Sequence, residues 1–121
     1  MAEGYEPRPQ SYDLQEGTLA KYTDVSGTLV NTACYKIGNV VNVGGTINSM
    51  TNQVANGALF QIPTGFRPAT TTRCIGLIVL TGQSSGIPTN LSIYTDGKVS
   101  VSYSQSFTIT AVVFAATYPI T

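Results

Sequence analysis

The sequence contains no histidine and no tryptophan, and it has few charged side chains. Charged residues make up 10% of the 121 residues, and their net charge is zero, whereas ordinary soluble domains have about 25%. Without imidazole, the common catalytic triads and most zinc sites are excluded. Six basic side chains cannot neutralise many phosphates, so nucleic acid and anionic membranes are poor partners. We therefore expect no metal and no cofactor.

Long apolar runs are also missing. No stretch approaches the roughly 20 apolar residues of a membrane-spanning helix, and the N-terminus lacks the basic start and apolar core of a secretory signal. We expect no membrane insertion, and synthesis in the cytoplasm. In that reducing compartment the two cysteines, Cys34 and Cys74, are expected as free core thiols rather than as a disulfide.

The residues that are abundant favour β-sheet. The chain has 17 Thr, 11 Val and 9 Ile, so about a third of it is β-branched. Glycine and proline fall mostly between the β-branched runs, where turns need them, and Gly38, Gly44 and Gly45 are interpreted as turn or bulge residues. No segment keeps a helical period, and the spacing predicts an all-β sandwich or barrel of seven or eight short strands. These strands are expected at 28–36, 39–43, 46–51, 58–62, 70–80, 91–95, 98–104 and 107–117.

Charge divides the chain into two parts. Residues 1–24 hold five of the six acidic side chains, whereas residues 25–121 hold four of the six basic ones. We interpret the first part as an extended N-terminal arm that docks on another subunit or on a scaffold protein, and the second as the body of the domain; an unstructured tail is the alternative. The candidate anchoring residues of the arm are Tyr5, Arg8 and Tyr12.

One hairpin can be worked out from its pattern. A two-residue turn at Asp96 and Gly97 would mix apolar and polar side chains on each face. A three-residue loop over 95–97, with Gly97 left-handed, pairs Ile93 with Val99 and separates the two faces. The bulged turn predicts that Leu91, Ile93, Val99, Val101 and Tyr103 point into the core, while Ser92, Tyr94, Ser100, Ser102 and Ser104 point outwards.

Two segments are apolar without alternation. Residues 74–80 and 111–116 present apolar side chains to both faces of their strands. A single sandwich covers only one face of each strand. We expect a neighbouring subunit to cover the second face, with the arm as the alternative.

Three short motifs follow one another along the chain. They are Tyr-Lys-Ile-Gly-Asn-Val-Val-Asn-Val-Gly-Gly at 35–45, Ile-Pro-Thr-Gly-Phe-Arg-Pro at 62–68 and Ile-Tyr-Thr-Asp-Gly-Lys-Val at 93–99. Together they resemble the C-terminal head domains of bacteriophage receptor-binding and tail-fibre proteins. The resemblance implies a jelly-roll-like β-sandwich of the virion, assembled as a homotrimer, with host-surface saccharide bound at or near subunit interfaces. It extends to small capsid-bound fibres and decoration proteins, so a purely structural protein without receptor binding is the alternative.

Catalysis has little support in the residues. Asp96 is the only carboxylate after residue 24, whereas a glycosidase needs two. No histidine is available to activate a cysteine. We therefore expect a protein that is not an enzyme.

Saccharide binding requires neutral polar groups and aromatic rings, which the chain has. The candidate binding residues are Arg73, Tyr94, Asp96 and Tyr103. Two have simpler alternatives, since alternation also places Tyr103 in the core and Tyr94 can serve as a cross-strand pair. The loop over 81–88 is a further exposed candidate, for which a flexible connection is the simpler interpretation. Arg67 is interpreted as part of the geometry of its turn.

Overall fold

The computed structural model describes residues 14–120, which form eight strands and no helix. None of these residues therefore belongs to a helix able to cross a membrane. The strands are β1 (Leu14–Glu16), β2 (Ala20–Lys21), β3 (Thr28–Ile37), β4 (Val40–Asn48), β5 (Gln53–Gln61), β6 (Thr72–Leu80), β7 (Ile87–Ile93) and β8 (Lys98–Pro119).

All strand pairs are antiparallel. The sheet folds into two layers, and the long strand β8 runs through both. The order is β1-β3-β4-β8-β5-β2, with β6 and β7 paired to each other and to β8. The first half of β8 pairs with β5 and β7, whereas its second half pairs with β4 and β6. The single sheet therefore curls into an antiparallel sandwich, and the all-β prediction is confirmed.

The layers enclose one apolar core. Phe60 and Phe114 pack at its centre with ring centroids 4.6 Å apart. Cys34 is buried and Cys74 half-buried, both as free thiols, and burial raises the pKa of each. The fully buried side chains include Val41, Ile47, Leu59, Phe60, Ile62, Ile78, Leu91, Ile93, Val99, Val101, Ile109 and Val112.

Two of the observed strands each fuse two predicted ones. β4 joins the segment predicted at 39–43 to the first part of the one at 46–51 and ends at Asn48, and β8 covers those at 98–104 and 107–117. The turn predicted at Gly44 and Gly45 is wrong, because both lie inside β4 and are buried. A Cβ atom on Gly44 would lie 2.8 Å from the Phe114 carbonyl oxygen, and one on Gly45 would lie 2.8 Å from Leu19 Cδ2. These glycines let neighbouring groups approach closely, whereas Gly38 occupies a turn with φ +59°.

The hairpin between β7 and β8 has the predicted register. Ile93 pairs with Val99 and Leu91 with Val101, and Gly97 has φ +92°. All four paired side chains are buried. The prediction that Tyr103 points into the core is wrong, since 41% of its surface is exposed.

The turn over 62–68 is held by its own side chains. Phe66 is buried, Gly65 has φ +96°, and Arg67 Nε donates to the Ile62 carbonyl oxygen at 2.9 Å. The buried hydroxyl of Tyr118 donates to the Phe66 carbonyl oxygen. Burial, with Cys34 nearby, raises the pKa of Tyr118 far above its ordinary value. Arg67 therefore has the structural role expected from the sequence.

Part of the predicted arm belongs to the sandwich. β1 pairs with β3, β2 pairs with β5, and Leu19 between them is buried in the core. Tyr5, Arg8 and Tyr12 lie outside the described residues, so the role of the arm stays a prediction.

The sandwich has two distinguishable ends. At the first, the turns near 39, 65 and 97 meet, because Lys36 Nζ donates to the Gly65 carbonyl oxygen and the Ile62 amide donates to that of Gly97. At the second end, the Thr81 amide donates to the Thr108 carbonyl oxygen and the Met50 amide donates to the Thr110 carbonyl oxygen. We call these the Asp96 end and the Phe107 end. Leu14 pairs with Ile37 and therefore lies at the Asp96 end.

Candidate functional site

Two of the predicted binding residues share the outer face of β6, β7 and the first half of β8. Arg73 lies opposite Ser92, and Ser92 lies opposite Ser100. Tyr94 follows Ser92 by two positions on the same face and is 41% exposed. We call this surface the hydroxyl face; its residues are Arg73, Ser92, Tyr94, Ser100 and Ser102. It offers one cation, one phenol ring and a row of hydroxyl groups.

Asp96 lies next to this face, and its carboxylate is engaged in its own turn. One carboxylate oxygen accepts from the Lys98 amide at 3.2 Å, and the other lies 3.7 Å from Lys98 Nζ. The side chains of Asp96 and Lys98 are more than half exposed, so this ion pair adds little stability. The Asp96 carbonyl oxygen accepts from Gln61 Nε2 at 2.9 Å. These contacts indicate a turn-stabilising role, with one carboxylate edge still open to solvent.

Tyr103 does not join the other three residues. It lies five positions beyond Lys98 on β8, about 17 Å along an extended strand. The structure places it at the Phe107 end, where its ring centroid is 6.2 Å from that of Phe107. A single sugar ring therefore cannot contact both Asp96 and Tyr103.

The exposure of Tyr103 and Phe107 has a backbone cause. Val54 and Ala55 are consecutive in β5, but their partners in β8 are Thr108 and Ser104. Residues 105–107 are therefore looped out of the ladder. Tyr103 is skipped in the same way, because the consecutive residues Ala55 and Asn56 pair with Ser104 and Ser102. The two bulges bend the strand. We call this segment the aromatic corner; it comprises residues 103–107.

No metal-binding cluster is evident in the part of the chain that the structure describes. Residues 14–120 contain no cluster of three or more His, Cys, Asp or Glu side chains. The groups whose pKa is raised are Cys34, Cys74 and Tyr118, and all three project towards the core. The exposed faces offer mainly hydroxyls, amides and rings, which are groups that suit binding.

A second exposed surface is apolar. Val113 pairs with Leu77, which pairs with Pro88, and Ile75 lies one outward position away on β6. The exposed fractions are 69% for Ile75, 44% for Leu77 and 40% for Val113. These residues, with Pro88 and Ala115, line a groove of about 310 Å³ that we call the apolar band. The described arm residues pair with β3 and β5 and do not cover it.

The apolar band adjoins a more polar groove that the sequence did not reveal. This groove of about 330 Å³ is lined by Tyr35, Asn42 and Thr117 and reaches the band at Ala115. Thr117 Oγ1 donates to Asn42 Oδ1 at 2.8 Å. The three polar residues come from β3, β4 and β8, so only the strand register brings them together.

Solved structures share this architecture. The head domain of lactococcal phage bIL170 superposes with a TM-score of 0.64 at 17% identity, over 90% of this chain and 100% of that one. This chain has the fold of phage receptor-binding head domains. The receptor-binding protein of Listeria phage PSA superposes with a TM-score of 0.57 at 13% identity, over 87% of this chain. The match spans 65% of that longer protein.

The likeness lies in structure rather than in sequence. No family model matches the chain, and no curated protein matches it significantly. The resemblance deduced from the three short motifs is therefore confirmed at the level of the fold.

Proposed function

We propose that this chain is the host-binding head of a phage virion protein, that it assembles as a homotrimer, and that it binds host-surface saccharide. The observation that carries the proposal is the shared fold, which extends over the whole bIL170 head domain. That domain is described as a receptor-binding domain of a lactococcal phage. The hydroxyl-rich surface of this chain, with its few charges, suits a saccharide better than nucleic acid or a membrane.

The apolar band supports the assembly. A monomer would leave Ile75, Leu77 and Val113 in water, whereas a second copy would bury them. In this arrangement the arm residues Tyr5, Arg8 and Tyr12 contact other virion proteins. The described chain reaches Leu14 at the Asp96 end, so the arm joins the head there.

Light scattering tests the assembly. We expect the 121-residue chain to have a mass in solution of roughly three times 12.8 kDa. The double variant Ile75→Thr, Val113→Thr keeps β-branched side chains and should have the mass of one chain. Tyr103→Thr removes a comparably exposed side chain outside the band and should stay trimeric. A monomeric wild-type protein, or a double variant that stays trimeric, would contradict the proposed interface.

Cell adsorption tests host binding. Fluorescently labelled protein is mixed with a panel of bacteria that begins with lactococci and Listeria, the hosts named for the two structural neighbours. If the hydroxyl face binds the saccharide, Arg73→Ala and Tyr94→Ala reduce adsorption, and Arg73→Lys restores part of it. Thr64→Ala alters an exposed loop residue and serves as the control.

The adsorption result also distinguishes the alternative function. A decoration or fibre-base protein would show no adsorption to any strain, but would bind tightly to virions that lack it. That pair of results would overturn the receptor-binding proposal and leave the virion assignment in place.

A further inference from the structure

We propose that Tyr103 and Phe107 form a stacking platform for the apolar C–H face of a neutral pyranose. This inference rests on the proposed function, and it assigns the host contact to the aromatic corner rather than to the hydroxyl face. Alternation alone assigns Tyr103 to the core, and it gives Phe107 no separate role. The platform exists because the strand bends at this point.

The two rings are close together and still open to solvent. Their centroids are 6.2 Å apart and their planes are tilted by 49°. Tyr103 is 41% exposed and Phe107 is 51% exposed. Contact between tilted rings covers only part of each ring. Both therefore keep surface on which the C–H groups of a sugar can pack.

The backbone holds the rings in place before any ligand arrives. Ser102, Ser104 and Thr108 all pair with β5, so the backbone is anchored on both sides of Tyr103 and on both sides of residues 105–107. Within the corner, the Ser106 amide donates to Ser104 Oγ at 3.0 Å. A fixed platform loses little conformational entropy on binding, which favours affinity for a small ligand.

The surroundings supply hydroxyls and amides rather than charge. Residues 99–120 contain no Asp, Glu, Lys or Arg. Ser104, Gln105 and Ser106 lie within the corner, and at the same end Thr81 Oγ1 and Thr108 Oγ1 are 2.7 Å apart. Neutral donors and acceptors match the hydroxyls of a sugar, whereas a phosphate or sulfate group would find no cation among them. These contacts favour an uncharged saccharide.

The position of the corner agrees with a host contact. The arm joins the head at the Asp96 end, where Leu14 pairs with Ile37. The aromatic corner lies at the other end. A head held at the Asp96 end therefore presents Tyr103 and Phe107 away from its attachment.

Nuclear magnetic resonance tests the platform directly. The full-length labelled protein is titrated with the methyl glycosides of glucose, galactose and N-acetylglucosamine. We expect the ring signals of Tyr103 and Phe107 to shift with at least one of them, by the same amount at low and high salt. Phe107→Ala should weaken binding about tenfold, the order of one lost aromatic contact, and Phe107→Tyr should retain it. Val40→Ala changes an exposed apolar residue at the Asp96 end and is the control.

Three results would overturn the platform: no ring shift with any of the three glycosides, shifts confined to the hydroxyl face, or unchanged affinity in Phe107→Ala. The amide spectrum of each variant shows that it is folded. Cell adsorption separates this inference from the proposed function. Adsorption that survives Phe107→Ala rejects the platform alone, whereas glycoside binding by a protein that adsorbs to no cell rejects the host-binding role.

Discussion

Replacing Gly97 by alanine tests how the turn of the β7–β8 hairpin is built. Gly97 has φ +92°, a conformation that costs an L-residue about 1–2 kcal/mol. A new Cβ atom would also overlap the Ile62 carbonyl oxygen and lie 2.6 Å from Arg67 Nε. Crowding of this kind costs a further amount of about 1–3 kcal/mol. Gly97→Ala should therefore lower the free energy of unfolding by about 2–5 kcal/mol.

Gly82 provides a matched control for this substitution. Its φ is +87°, but nothing lies within 4 Å of the position of its Cβ atom. Gly82→Ala should thus show only the backbone cost of about 1–2 kcal/mol. Urea unfolding followed by circular dichroism, at one protein concentration, measures both variants. A slope of about 1–3 kcal/mol per molar urea makes the difference between them a midpoint shift of about 1 M. Equal losses in the two variants would refute the crowding by Ile62 and Arg67.

Two further predictions concern buried groups. Tyr118→Phe leaves the Phe66 carbonyl oxygen without its donor and should lower the free energy of unfolding by about 1–3 kcal/mol in urea titrations. The folded wild-type protein keeps the Tyr118 proton to a higher pH than the unfolded chain does, so its stability should fall as the pH rises above about 10, and Tyr118→Phe should reduce that slope. Burial raises the pKa of Cys34 and Cys74, so a thiol-specific disulfide reagent at pH 8 should modify them slowly in the native protein and rapidly in urea.

The local pattern was sufficient wherever both partners lay close in sequence. The register of Ile93 with Val99 followed from separating the faces across one turn, and the structure has that register. The turn around Gly65 and Phe66 followed from its own glycine and prolines. The prediction of a turn at Gly44 is wrong, because the contact that requires a glycine there comes from a residue distant in the sequence. The Phe114 carbonyl oxygen occupies the space of its missing side chain.

The candidate sites depended more strongly on tertiary structure. Arg73 and Tyr94 share a face because β6 pairs with β7 in one particular register. The groove formed by Tyr35, Asn42 and Thr117 combines three strands, one of which is distant in sequence. No local pattern indicates such a combination. The apolar segments at 74–80 and 111–116 did indicate that the second face of these strands is covered, but a sequence pattern does not identify the covering partner.

The aromatic corner shows why alternation is not sufficient to assign a core residue. Apolar or aromatic residues occupy 99, 101, 103, 107 and 109, and a period of two places them all on one face. Alternation determines which way a side chain points, but burial also needs an opposite layer. Val101 has that layer and is 1% exposed, whereas Phe107, six positions further, is 51% exposed. Where β8 is looped out of its ladder with β5, alternation no longer places its side chains against the opposite layer. A residue there keeps the sequence signature of a core side chain and has the exposure of a binding residue.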